Sequence, residues 1–254
     1  MTRGVALVRR PSDRLAEGIV THIDRRPVDI VAARRQHDAY RAALAAAGWT
    51  VTEVALAADH PDSVFVEDTV VVCDGLAVLT RPGAESRVAE VAGTEIAVRE
   101  LGLDIARIEP PGTLDGGDVL QVGRTVYVGV GGRTNHAGVA QLRDHLAPMG
   151  REVVPVSLRR VLHLKSAVTA LPDGTLVALP DLIDTSVLPP VQAVSEEAGC
   201  HVVPLGGDDV MIAASAPRTA EWLASRGFNP VVVDIGEFEK LEGCVTCLCV
   251  LTTA

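Results

Sequence analysis

The sequence predicts an α/β fold of five ββα-type repeats set radially about one axis, within a single domain spanning residues 1–254. Two observations carry this. A polar or acidic cluster is followed by a β-rich run, a tight turn, a second β-rich run and then a helical stretch, and this order recurs along the chain. Equivalent positions in successive copies lie about 40–50 residues apart, the spacing of repeat architectures.

The elements follow in order. Val5–Val8 reads as a strand, expected to pair with the first strand of the first copy and so close the chain on itself. Residues 29–47 read as a helix, with Ile30, Ala33, Tyr40, Leu44 and Ala47 at helical spacing. The first copy begins at Glu67-Asp68, turns at Asp74-Gly75, and leads into a helix over 86–101. Asp-Gly between two apolar runs is a hairpin signal because the turn requires positive φ. The second copy begins at Asp115-Gly116-Gly117-Asp118, turns at Gly123-Arg124, and is followed by a helix over 135–149. The third begins at His163, turns at Pro172-Asp173-Gly174, and predicts a helix over 189–198. Gly206-Gly207-Asp208-Asp209 opens a degenerate fourth copy, and Thr246-Cys247 opens the fifth.

Composition narrows the function classes. Hydrophobic residues are 48% and charged residues 22% of the 254, as in an ordinary globular protein, while aromatics are only 3%, so Val, Ala and Leu must do most of the packing. The net charge of −10, with only Lys165 and Lys240 as lysines and the arginines scattered, argues against a nucleic-acid partner. There is no run of 18 apolar residues to span a membrane and no signal-peptide pattern at the N-terminus. Five cysteines, three of them bunched at 244, 247 and 249, do not form a disulfide framework, which points to the cytoplasm.

Because each polar cluster opens the first strand of its repeat, radial packing brings Glu67, Asp68, Asp115, Asp118, His163 and Cys247 together near the axis. A cysteine, a histidine and several carboxylates in one pocket suggest nucleophilic catalysis. The thiolate is the reactive form and a neighbouring cation, such as a bound guanidinium, favours it. A histidine can protonate a departing amine and then activate water. Carboxylates suit a planar cation with paired N–H donors. Bland readings stand beside these. His163 between two leucines could be structural, Asp208 and Asp209 could cap a turn, and Cys244-x-x-Cys247 could be a redox pair or half of a zinc site, although no second pair is present. Cys73 and Cys200 read as small hydrophobes. Cys247 leads Cys249 as nucleophile because it stands first in its apolar run. Arg87 and Arg133 are candidates to hold a carboxylate.

At these residues the sequence resembles the dimethylarginine dimethylaminohydrolases of the guanidine-modifying pentein superfamily. The anchors are Leu7-Val8-Arg9-Arg10, Arg35-Gln36-His37, Phe65-Val66-Glu67-Asp68, Thr80-Arg81-Pro82-Gly83-Ala84, Thr113-Leu114-Asp115-Gly116-Gly117-Asp118, Gly123-Arg124, Arg133-Thr134-Asn135, His163-Leu164-Lys165-Ser166 and Thr246-Cys247. The resemblance implies a five-bladed pseudo-symmetric α/β propeller, the pentein fold, and hydrolysis of methylated arginine to citrulline and a methylamine. It implies Cys247 as nucleophile, His163 as general acid/base and Asp115 as its partner. It also implies Asp68, with Glu67 nearby, on the guanidinium, Arg87 and Arg133 on the α-carboxylate, Asp62 on the α-amino group, Phe65 lining the pocket, and residues 21–27 as a lid. No metal or organic cofactor is implied, and a homodimer is left open. Arginine deiminases resemble one another in an acid two residues after the histidine, where this chain has Lys165, which favours a methylated substrate. A deiminase-like enzyme, another guanidine hydrolase or an amidinotransferase is the alternative. Amidinotransferases are typically longer.

Overall fold

The computed structural model describes residues 3–252; Met1, Thr2, Thr253 and Ala254, the outermost residues of the span expected to form one domain, lie outside it. The elements run β1 (Val5–Val8), α1 (Ile30–Ala46), β2 (Thr50–Glu53), β3 (Val70–Cys73), β4 (Leu76–Leu79), α2 (Val91–Glu100), β5 (Asp104–Arg107), β6 (Val119–Val122), β7 (Thr125–Val130), α3 (His136–Leu146), β8 (Glu152–Ser157), β9 (Val168–Ala170), β10 (Leu176–Ala178), β11 (Val191–Ala193), β12 (Val203–Gly206), β13 (Asp209–Ala213), α4 (Pro217–Ser225), β14 (Asn229–Val233), α5 (Gly236–Glu239) and β15 (Val250–Thr252). They form five three-stranded sheets: β3-β4-β5, β6-β7-β8, β9-β10-β11, β12-β13-β14 and β15-β1-β2. In each, an antiparallel pair is followed by a parallel third strand. This is the five-fold pseudo-symmetric α/β propeller.

Local chemistry explains most of the elements. The β3–β4 turn places Asp74 at φ 44° and Gly75 at φ 86°, the pair of positive angles that a two-residue hairpin needs. Asp29 caps α1 by accepting from Val31 N and Ala32 N, and Asn135 caps α3 through Gly138 N. Five buried apolar clusters hold the ring, each joining two neighbouring blades. In one, Leu120 and Tyr127 of the second blade meet Val168, Leu176 and Ala178 of the third. Fully burying one such aliphatic side chain contributes about 1.5–3 kcal/mol, so the shortage of aromatics is offset by many Val and Leu contacts.

Four expectations are corrected. Val5–Val8 pairs with β15 and β2, not with β3, so the ring closes through the C-terminal strand. The repeat is ββαβ: each helix or connection leads to a third strand, and β2 and β5 are too short and half-exposed to leave an apolar signature. Residues 189–198 are not helical but carry β11 and a short 3₁₀ turn, since Pro189-Pro190 favour extended backbone. Gly206, at φ 107°, ends β12 opposite Asp209, and Gly207, at φ 58°, makes the β12–β13 hairpin turn with Asp208. Asp208 and Asp209 therefore lie at the outer end of the fourth blade, where Asp209 pairs with Arg3 at 3.1 Å, and Cys200-His201 takes their place at the start of β12.

Candidate active site

The site is built from the segments that precede the first strands. 3₁₀ turns at Val66–Thr69, Gly116–Asp118 and Leu164–Ser166 pack on one another near the axis. They carry Asp68 and Asp118 and are entered from Asp115 and His163. In the fifth blade a turn closed by Cys247 N donating to Cys244 O at 3.1 Å presents Cys247 just before β15. Gly117 is required by close approach: a Cβ there would lie 2.7 Å from His163 Nδ1 and 2.8 Å from Asp68 Oδ1.

His163 is held between carboxylates. Its Nε2 lies 3.0 Å from Asp115 Oδ2 and its Nδ1 lies 3.8 Å from Asp68 Oδ1. Asp115 also accepts from Gly83 N at 2.7 Å. Asp118 accepts from Leu164 N at 3.0 Å and from Thr134 Oγ1 at 2.6 Å, and that Thr134 oxygen accepts from Asp115 N at 3.1 Å. Burial alone would favour neutral imidazole, but Asp68, Asp118 and Asp115 outweigh it and carry the His163 pKa up to about 10. Burial pushes Asp118 up to about 7, against His163 and Thr134. Burial opposes the charge on Asp68 as well, yet His163, Arg87 and the Gly117 N–H hold it down at about 2.

The cleft is lined by Ile19, Asp62, Phe65, Asp68, Arg87, Arg133, Leu162, His163, Leu241, Glu242, Gly243 and Cys247. Seven of the nine sequence-derived site residues therefore share one wall, and two do not. Asp115 is fully buried behind His163. Glu67 turns to the other side, where Lys165 Nζ donates to it at 2.6 Å and Thr246 Oγ1 at 3.1 Å. Burial raises Glu67 to about 7 despite Lys165. Below this pair lies a central cavity of about 400 Å³, lined by the first strands of all five blades together with Cys249. Lys165 is therefore a half-buried partner of Glu67 and not a freely solvated side chain.

The two arginines differ. Arg87 is buried and fully committed: Nη1 donates to Asp68 at 2.6 Å, Nη2 to Glu90 at 2.9 Å and to the carbonyls of Asp62 and Phe65. Arg133 is half-buried and makes no salt bridge among the described residues, so its guanidinium is available to the cleft. Asp62 accepts from Ile19 N at 2.9 Å, and Glu242, at φ 60°, accepts from Thr21 N and His22 N. These bonds anchor residues 19–22 beside the cleft, which Ile19 and Glu242 line; the lid expected over 21–27 overlaps this segment only at Thr21 and His22.

Cys247 and Cys244 stand with their Sγ atoms 3.0 Å apart. The contact with Cys244, burial, and the anions Glu67 and Asp68 all raise the Cys247 thiol, so it holds its proton. Cys249 faces the central cavity, and burial pushes it up to about 12. Asp68, Asp115 and His163 place ligand-type atoms within 4.8 Å of one another. Those carboxylate oxygens already accept from Arg87, Gly117 and Gly83, and a charged His163 is the cation of that cluster.

The arginine deiminase family profile matches residues 42–213. A curated relative, the N(G),N(G)-dimethylarginine dimethylaminohydrolase of Streptomyces coelicolor, is 61% identical over 96% of this chain and 95% of its own. The chain belongs to the dimethylarginine dimethylaminohydrolase family. The enzyme of that name from Pseudomonas aeruginosa is 34% identical over 95% of this chain. A cysteine-to-serine mutant of the P. aeruginosa dimethylarginine dimethylaminohydrolase complexed with citrulline superposes with a TM-score of 0.90 at 32% identity, covering 99% of this chain and all of that one. A histidine-to-glycine variant of a dimethylarginine dimethylaminohydrolase, as an adduct with S-methyl-L-thiocitrulline, gives 0.91 at 31% over the same coverage.

Sequence reading did not single out Thr134 and Gly83 as supports of Asp115, Glu90 as the second anion on Arg87, or Ile19 and Glu242 at the cleft mouth. Capping and backbone contacts between distant segments leave no periodic signal. The Arg133-Thr134-Asn135 string was the one available hint for Thr134.

Proposed function

We propose that this chain hydrolyses Nω-methylated arginines, asymmetric dimethylarginine and monomethylarginine, to citrulline and a methylamine through a covalent bond to Cys247. The observation that carries it is one cleft onto which a cysteine, a charged histidine, an ionised aspartate and an uncommitted arginine all open. Family membership supplies the reaction class.

Each residue then has a task. Arg133 takes the substrate α-carboxylate and Asp62 its α-amino group, with Phe65 against the aliphatic stem. Asp68 faces the guanidinium. Arg87, bound by Asp68 and Glu90, fixes that carboxylate and reaches the substrate only by giving up one of its partners. The arriving cation offsets the anions that keep Cys247 protonated, and the thiolate forms as its proton leaves to solvent. Its sulfur attacks the guanidinium carbon. The C–N bond to the methylated nitrogen breaks as His163 gives that nitrogen its proton, and a thiouronium adduct remains. Neutral His163 then takes a proton from water, whose oxygen attacks the same carbon. The C–S bond breaks, citrulline forms, and Cys247 is restored. Asp115 holds the ring in place and stabilises its charged form. Glu67 is tied to Lys165 and Thr246 and sets the local charge from the far side. The chemistry calls for no metal, and the same reading puts the enzyme in the cytoplasm.

The test is citrulline formation from asymmetric dimethylarginine and from arginine, side by side, with a chelator present. Release from the methylated substrate is expected, with arginine poorly used. Activity on arginine alone would sink the substrate assignment, and silence on both would sink the reaction.

A further inference from the structure

Of the four cysteines that the hydrolysis does not use, Cys244 is the one in contact with Cys247. The residue is 1% exposed and does not line the cleft, and its sulfur makes contacts of 3.0 Å to Cys247 Sγ and 3.2 Å to Thr246 Oγ1. Two free sulfurs so close are nearer than ordinary van der Waals contact. The backbone makes the pairing geometrically reachable as a bond. The 244–247 turn is closed by an i→i+3 hydrogen bond, and such turns keep their end Cα atoms within about 7 Å. A disulfide wants roughly 4.4–6.8 Å. The other cysteines are elsewhere: Cys73 lies beside Asp74 at the outer β3–β4 turn, Cys200 contacts Glu197 O and Ser166 O, and Cys249 faces the central cavity.

We infer that Cys244 is a resolving thiol, which captures peroxide-oxidised Cys247 as a Cys244–Cys247 disulfide and so makes the nucleophile's oxidation reversible. The inference rests on Cys247 being the nucleophile. Cys247 meets the oxidant because it lines the cleft, and Cys244 does not. The Cys247 thiol first gives up its proton, against burial and the neighbouring anions, and the thiolate attacks one peroxide oxygen; the O–O bond breaks and the sulfur is oxidised by two electrons to the sulfenic acid. The departing hydroxide takes up that proton and leaves as water. The Cys244 sulfur then attacks Cys247 Sγ, the S–OH bond breaks, and this hydroxide leaves with the Cys244 proton as a second water. Two thiols and one hydrogen peroxide give one disulfide and two waters. Further oxidation of a sulfenic acid to sulfinic acid is irreversible for an ordinary enzyme. A sulfur already in contact closes the disulfide before a second peroxide arrives. Small-molecule thiols reopen it by exchange.

The experiment treats the purified full chain with hydrogen peroxide, follows activity, and maps thiols by alkylation and peptide mass. In the wild type, activity falls to the background of the Cys247→Ser protein. The cross-linked 244/247 peptide loses the mass of two hydrogens, and dithiothreitol restores both thiols and turnover. In Cys244→Ser, with Cys244→Ala as the second variant, each measured against its own untreated rate, Cys247 gains two oxygens and dithiothreitol recovers nothing. Cys249→Ser behaves like wild type. Equal recovery in wild type and the Cys244 variants, or inactivation with no 244/247 cross-link, overturns the inference while leaving the nucleophile assignment intact. A quantitative cross-link with turnover undiminished overturns the nucleophile assignment and the silencing with it.

Discussion

The ring of turns at the axis divides two compartments that treat charge in opposite ways. Neighbouring residues on a turn face apart: Asp68 the cleft and Glu67 the cavity, Cys247 the cleft and Thr246 the cavity. On the cleft side, Asp68 is kept ionised by His163, Arg87 and a backbone N–H, and Arg133 is left over. On the cavity side, Glu67 and Lys165 satisfy each other among valines and leucines. Reactivity here comes from incomplete pairing. The same residue types, fully paired, make a structural plug.

The largest effect should separate two cysteines on one strand entry. Cys247→Ser is expected to abolish citrulline formation, whereas Cys249→Ser, on the cavity side, keeps most of it; equal losses would erase the distinction between the compartments. Next, Lys165→Met should strand a buried carboxylate, at a cost of about 3–5 kcal/mol in denaturant unfolding at pH 8. The sign follows from Glu67, an acid whose folded pKa of about 7 exceeds its ordinary 4.5. Its ionisation costs stability as pH rises past the ordinary value, so the variant's deficit should shrink on acidification, as the carboxyl takes a proton. A deficit independent of pH would assign Lys165 a packing role instead.

Arg133→Ala tests the uncommitted side: KM should rise by roughly tenfold or more, as for loss of a charge-assisted hydrogen bond, with kcat little changed. An unchanged KM would remove Arg133 from the site. The smallest change is expected from Asp118→Asn. His163 is charged up to about pH 10 partly because of Asp118, so the alkaline limb of kcat/KM should move to lower pH while the acid side stays put. A limb that does not move would mean that His163 takes its proton affinity from Asp68 and Asp115 alone.

What the sequence made legible follows from what is local. Asp74-Gly75, Asp29 before α1 and Asn135 before α3 specify their own turns and caps, and the recurrence of polar-β-turn-β strings was enough to bring Asp68, Asp115, Asp118, His163 and Cys247 to one axis. Glu67 was read into the same cluster, but alternation along its turn sends it to the far side, which spacing cannot resolve. Gly206-Gly207-Asp208 mimics Gly116-Gly117-Asp118 in letters, yet the first string makes an outer hairpin and the second an axial turn. The partner of β1 was misread for a related reason: β15 lies about 245 residues away and carries no mark of its destination.

That last pairing bears on the life of the nascent chain. Synthesis proceeds from the N-terminus, and β1 leaves the ribosome with the β15 edge open until about 245 further residues have followed. The segment that finally zips onto it brings Cys247 into the cleft in the same event. A chain cut before Cys247 would lack both the strand that closes the ring and the proposed nucleophile. Closing the ring and placing Cys247 at the cleft are one folding step.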